Sequence, residues 1–170
     1  GSSAITINKE LTIDGKGHTI DAQGKSRIFD IKKSVILKNI IFINGKVTGS
    51  SSYGGAIYGS TTFNSISLTV INSTFTNTTA SSGGVIYWDS WGGVSVINST
   101  FINTIATGTG SSNGGGGAIY INGDVNVNGC SFTNTISKGT GSSNGGGAIH
   151  GSGVTVINST FTNTTASSGG

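Results

Sequence analysis

The segment "YWDSW" places both tryptophans of this 170-residue chain, Trp88 and Trp91, within five residues, beside Tyr87 and around the carboxylate of Asp89. Aromatic rings pack against the apolar faces of sugars, and a carboxylate between them accepts hydrogen bonds from hydroxyls. Tyr87, Trp88, Asp89 and Trp91 therefore form a candidate glycan site. Tyr58 and Tyr120 stand at equivalent places in neighbouring repeats and would extend it, with His150 continuing the row. The plainer reading is that the rings fold over the body of the protein and cover a gap between loops.

Catalytic chemistry has little to draw on. The acids are Glu10, Asp14, Asp21, Asp30, Asp89 and Asp124. Glycoside hydrolysis needs two carboxylates across one bond, and a lyase needs clustered carboxylates for a cation plus a positioned base. Asp89 and Asp124 each stand alone in their own repeat, and Arg27 has Asp30 nearby, which reads as an ion pair at one end. Cys130, His18 and His150 lack both triad context and metal-ligand spacing. The Gly/Ser-rich stretches 108–117 and 139–147 lack the Lys-Ser/Thr and the helix of a phosphate loop. The expectation is no enzyme, no metal and no cofactor.

These residues must be positioned by a repeat. Five segments align on phenylalanine: "LKNIIFIN" (37–44), "VINSTFTN" (70–77), "VINSTFIN" (96–103), "VNGCSFTN" (127–134) and "VINSTFTN" (156–163). Between them lie "GGAIY" (54–58), "GGVIY" (83–87), "GGAIY" (116–120) and "GGAIH" (146–150), with "SRIFD" (26–30) as the N-terminal counterpart. Successive phenylalanines are 33, 26, 31 and 29 residues apart. Constant motifs at unequal spacing mean a fixed scaffold with loops of varying length.

Each column has a conformational reading. Asn39, Asn72, Asn98, Gly129 and Asn158 occupy one position, and Asn exchanges with Gly where φ is positive, so the chain turns a corner there. Alternation from that corner points Phe42, Phe75, Phe101, Phe132 and Phe161 inward, together with Ile40, Ser73, Ser99, Cys130 and Ser159. The same phase predicts Asn44, Asn77, Asn103, Asn134 and Asn163 inside as a hydrogen-bonded ladder. Ile57, Ile86, Ile119 and Ile149 face the core, while Tyr58, Tyr87, Tyr120 and His150 face solvent. Three short strands per repeat describe a parallel β-solenoid, all-β, with coils ~4.8 Å apart. About six coils cover residues 1–170 as a single domain, 1–31 being a modified first coil and 32–170 the repeats.

The Gly-Gly-Ala-Ile and Phe-x-Asn motifs, with the opening "LTIDGKGHTIDAQG", resemble the adhesin-like surface proteins of methanogenic archaea. They are more distantly similar to the polymorphic outer-membrane proteins of chlamydiae. The resemblance implies a right-handed, single-stranded parallel β-helix similar to the pectate lyase fold. It also implies extracellular display at the cell surface, within a longer chain, as a stalk or glycan-binding module.

Composition narrows the partners. Net charge is +3, and eight of the nine basic residues fall within residues 1–46. One arginine and no basic stripe with aromatics argue against nucleic acid, and no apolar run is long enough to insert in a membrane as a helix. The basic end suits either solvent or an acidic surface polymer. Sequons place candidate glycosylation at Asn72, Asn98 and Asn158, whereas Asn77 and Asn163 are expected to be inaccessible. Outward Thr-x-Thr pairs such as Thr74/Thr76 and Thr160/Thr162 are explained by the β-propensity of threonine. The strand Ala4-Ile5-Thr6-Ile7 matches what would follow Gly169-Gly170 in a further repeat, so a head-to-tail homopolymer is the alternative function. A polysaccharide lyase or hydrolase is the third.

Overall fold

The computed structural model describes residues 3–62, 64–108, 114–140 and 145–167, and every element in it is a strand. Strands arrive in triplets. The first is β1 (Ile5–Ile7), β2 (Leu11–Asp14) and β3 (Thr19–Asp21), and the second is β4 (Phe29–Ile31), β5 (Val35–Lys38) and β6 (Ile41–Ile43). Next come β7 (Ile57–Ser60), β8 (Leu68–Ile71) and β9 (Thr74–Ala80), then β10 (Ile86–Asp89), β11 (Val94–Ile97) and β12 (Thr100–Ala106). The last are β13 (Ile119–Ile121), β14 (Asp124–Asn128) and β15 (Ser131–Ser137), then β16 (Ile149–His150), β17 (Gly153–Ile157) and β18 (Thr160–Thr162), with β19 (Thr165–Ala166) closing the described chain.

Every third strand pairs, and all pairs are parallel. One sheet runs β1-β4-β7-β10-β13-β16, the second β2-β5-β8-β11-β14-β17, and the third β3-β6-β9-β12-β15-β18 with β19 beside β15. Three sheets sharing one axis make a parallel β-solenoid, as the repeat spacing predicts.

The core is a set of like-on-like columns. Phe42, Phe75, Phe101, Phe132 and Phe161 stack with centroid separations of 4.7, 5.0, 4.6 and 4.8 Å. Strand spacing sets this offset, because each ring sits one strand above the last. Beside them runs a hydroxyl column. Ser73 Oγ accepts from Ile40 N, Ser99 Oγ from Ser73 N, and Ser159 Oγ from Cys130 N, while Cys130 Sγ takes the serine place above Ser99 and accepts from its N. Each serine also donates to the carbonyl two residues back. A buried polar column is thereby satisfied at every level.

The corner has the expected conformation: φ is 54° at Asn39, 48° at Asn72, 47° at Asn98, 66° at Gly129 and 48° at Asn158. The second asparagine column departs from the expectation of an inward ladder. Asn44, Asn77, Asn103, Asn134 and Asn163 also have positive φ, from 52° to 57°. Such a residue reverses the alternation, so two successive side chains face outward and the phase resets. Asn77, Asn103, Asn134 and Asn163 are exposed, and the next residue, Thr78, Thr104 or Thr135, is the buried one. The ladder itself forms, on the outside: Asn103 donates to Asn77 at 3.3 Å, Asn134 to Asn103 at 3.0 Å and Asn163 to Asn134 at 3.1 Å.

Carboxylates cap both asparagine columns in the first triplet. Asp14 Oδ1 accepts from Asn39 Nδ2 and Lys16 N, and Asp21 Oδ1 accepts from Asn44 Nδ2 and Gln23 N. Both carboxyls are held below their usual range, chiefly by the asparagine hydrogen bonds. Asp30 forms its ion pair with Lys32 at 2.8 Å, and Arg27 lies over the Tyr58 ring at 4.5 Å, so the expected Arg27–Asp30 pair is replaced by two separate contacts.

Candidate functional site

The segment 87–91 divides by alternation. In β10, Ile86 points in, Tyr87 out and Trp88 in. Trp88 is 0% exposed, so it is part of the core and lies out of reach of a surface ligand, contrary to the sequence expectation. Its six-membered ring fills the space above Gly59 of β7, where any Cβ would collide with it, and its Nε1 donates to Ile66 O at 3.3 Å.

Trp91 does the opposite. It is 87% exposed, at the tip of the turn joining β10 to β11. That turn is anchored on both sides of the indole. Ser90 Oγ accepts from Ile66 N at 2.9 Å and donates to Asn64 O, and Gly92 packs so closely on Ile66 O that only glycine fits. An apolar ring is thus held in solvent by a fixed backbone, the arrangement expected of a binding platform.

Polar groups converge beside it. Asp89 Oδ1 accepts from Asn122 Nδ2 at 3.2 Å, bridging neighbouring turns of the solenoid. Asp89, Asn122 and Trp91 line a cleft of about 450 Å³ together with Ser60, Thr61 and Ser90. A second cleft of about 260 Å³ shares Trp91 and is lined by Asp124, Asn126, Ser67 and Thr69. The two lone carboxylates of the repeat region therefore flank the indole, one in each cleft.

Tyr58, Tyr87 and Tyr120 form a column with its ring faces already used. Tyr87 stacks on Tyr58 at 5.7 Å and Tyr120 at 5.0 Å, and Tyr120 on His150 at 4.7 Å. Tyr53, which the repeat alignment did not single out, packs on Tyr87 at 4.3 Å. These half-buried rings offer edges and hydroxyls to solvent, and a sugar needs a face. Burial pushes the Tyr87 phenol well above its ordinary range, Asp89 adding to the shift, and Tyr120 follows for the same reasons. Of the aromatic candidates, Trp91 alone combines high exposure with a cleft at its side.

The remaining candidates fall as follows. Asn72, Asn98 and Asn158 are exposed, and so are Asn77 and Asn163, because the outward phase of their column overturns the expected inaccessibility. Ile5, Thr6 and Ile7 form β1 at one edge of its sheet, preceded by Ala4, while Gly169 and Gly170 lie outside the described residues, as do 109–113 and 141–144 of the two Gly/Ser-rich stretches. Cys130 is buried in the hydroxyl column and its thiol is pushed up by burial. His18 hydrogen-bonds Gly15 O, and His150 caps the aromatic column. Among the described residues, no three His, Cys, Asp or Glu side chains gather as a metal site.

Comparison with known proteins leaves the site to be argued from its own geometry: no family model matches the chain, and neither a curated protein nor a solved structure does.

Proposed function

We propose that the chain is a non-catalytic, adhesin-like module of the extracellular cell surface, a stalk that binds glycans through Trp91. The finer architecture belongs to the same reading: a right-handed, pectate-lyase-like helix of about six coils. One observation carries the proposal. Trp91 is held 87% exposed by an anchored turn, between two clefts lined with hydroxyls, carboxamides and one carboxylate each. An indole face with hydrogen-bonding groups on both sides suits a saccharide chain, whose units alternate apolar faces with hydroxyl rims.

A glycan array probed with the wild-type chain and with Trp91→Ala tests this. Binding to a defined set of glycans, lost in Trp91→Ala at unchanged melting temperature, is the expected result. Identical profiles for the two proteins would remove the site. Release of unsaturated or reducing ends from a bound glycan would replace the binding reading with a lyase or hydrolase.

A second reading, a fibre subunit stacking head to tail, is favoured by a separate observation. Strands β1 and β16 lie at opposite edges of one sheet, so β1 of one copy fits the free edge of β16 in another. Ile5 at one end, and Val154, Val156, Ile157 and Phe161 at the other, are exposed apolar side chains. Concentration-dependent filaments in negative-stain micrographs, absent when residues 1–7 are deleted, are the outcome this reading requires.

A further inference from the structure

We propose a second binding site, at the basic end of the solenoid, that takes the acidic groups of an anionic polysaccharide. A cleft of about 370 Å³ is lined by Lys25, Ser26, Arg27, Lys46, Ser51 and Ser52, and no acidic residue is among those lining it. Three cations from two separate stretches of chain thus share one concave surface with the hydroxyls of Ser3, Ser26, Thr48, Ser51 and Ser52.

The frame of this cleft is built. Lys46 N donates to Ser26 O at 3.1 Å, fixing the two stretches side by side. Lys46 also bridges to Thr79, and Ser52 O accepts from both Ser81 N and Ser81 Oγ. Arg27 is half-buried and held over the Tyr58 ring at 4.5 Å, which orders the guanidinium at the cleft wall. Burial lowers its pKa, because the cation has lost solvation, and nearby Asp30 offsets only part of that shift.

No carboxylate among the described residues forms an ion pair with Lys25, Arg27 or Lys46. Among the described residues the ion pairs are Lys32–Asp30 and Lys38–Asp14, and Lys25 Nζ instead donates to the amide oxygen of Gln23 at 2.8 Å. Asp21 lines the adjoining clefts, with its Oδ1 already accepting from Asn44 and Gln23. A partly desolvated guanidinium that feels Asp30 only at a distance and has no carboxylate in ion-pair contact is unfavourable, and an incoming carboxylate or sulfate relieves that cost through charge-assisted hydrogen bonds. Hydroxyl-rich walls match a sugar polymer. A nucleic acid would want a ring face for its bases, and Tyr58 has Arg27 over its ring and Tyr87 stacked on it. The site does not depend on Trp91.

The test is a calorimetric titration of the full chain with a polyuronate, a sulfated glucan, a neutral glucan and single-stranded DNA. Variants are Arg27→Gln, Lys46→Glu, the exposed Lys33→Glu as a charge-matched control outside the cleft, and Trp91→Ala. Melting temperatures are measured on each, and Lys46→Glu, an exposed position, decides the matter if Arg27→Gln unfolds. We expect one or both acidic polymers to bind, with the polyuronate and sulfate arms separating the two anions. Arg27→Gln and Lys46→Glu should each weaken that binding by at least ~10-fold and added salt should weaken it further, with Lys33→Glu and Trp91→Ala near wild type. No binding to either acidic polymer, an equal loss in Lys33→Glu, or equally tight binding of DNA would overturn the proposal.

Discussion

Two tryptophans three residues apart have opposite duties, and their environments separate the consequences of losing each. Removing the Trp88 ring empties a fully buried volume above Gly59 and strips Ile66 O of a donor. Trp88→Ala should cost about 3–5 kcal/mol in urea unfolding. Trp91→Ala touches no core contact and should stay within about 0.5 kcal/mol of wild type in the same experiment. Cys130 makes a third residue-scale case. It occupies a serine place, with Sγ 3.4 Å from both Ser99 N and Asn128 O. Cys130→Ser supplies a stronger donor and acceptor at that place and should leave stability within about 1 kcal/mol of wild type, whereas Cys130→Val, which removes donor and acceptor, should lower it. The phenols add a pH dependence. Tyr87 and Tyr120 have raised pKa values when folded, so the folded state keeps protons that the unfolded chain releases. Stability from these phenols is therefore present below the ordinary tyrosine pKa and falls as pH rises through it. A spectroscopic alkaline titration should show the two titrating late, with unfolding following close behind.

The elements show where sequence reasoning reached and where it stopped. Strands, sheet partners and the first corner were legible because phenylalanine and Asn/Gly recur at one position in every repeat, and both demands come from local physics. The second corner was missed because Asn44, Asn77, Asn103, Asn134 and Asn163 lie in phase with the phenylalanines, and a strict alternation carries them inward. The signal was present in residue type: the same asparagine that marks the first corner marks the second, and Thr78, Thr104 and Thr135, which follow it, restart the inward phase. Trp88 was misplaced for the converse reason. Alternation from Ile86 buries it, and Gly59 in the repeat below leaves the space it fills, but its clustering with Trp91 and Asp89 marked it as part of a surface site. The asparagine ladders also make a prediction at this scale. Asp14 and Asp21 terminate them with depressed pKa values, so their contribution is present above the usual carboxylate pKa and is lost as pH falls through the folded value. Amide exchange in β2, β3, β5 and β6 should accelerate on acidification, and Asp14→Ala with Asp21→Ala should show the fast exchange already at neutral pH.

The whole molecule is a rod whose long faces and ends carry different chemistry. Its basic residues gather at the first triplets, its exposed indole projects from the side, and its ends expose apolar residues that continue the buried columns. Such a layout keeps the proposed glycan-binding side apart from the proposed stacking ends, so the two proposed functions draw on different residues. Deleting residues 1–7 should abolish any filament and leave glycan binding at Trp91 intact, as checked by micrographs and titration on one preparation. The central claim, that the rod recognises glycan through an indole fixed between two polar clefts, is tested most directly by calorimetric titration of a glycan identified on the array into wild type and Trp91→Ala. Saturable binding by wild type and at least ~10-fold weaker binding by the variant, at equal melting temperature, is the expected result. Equal affinity in the two proteins would contradict it.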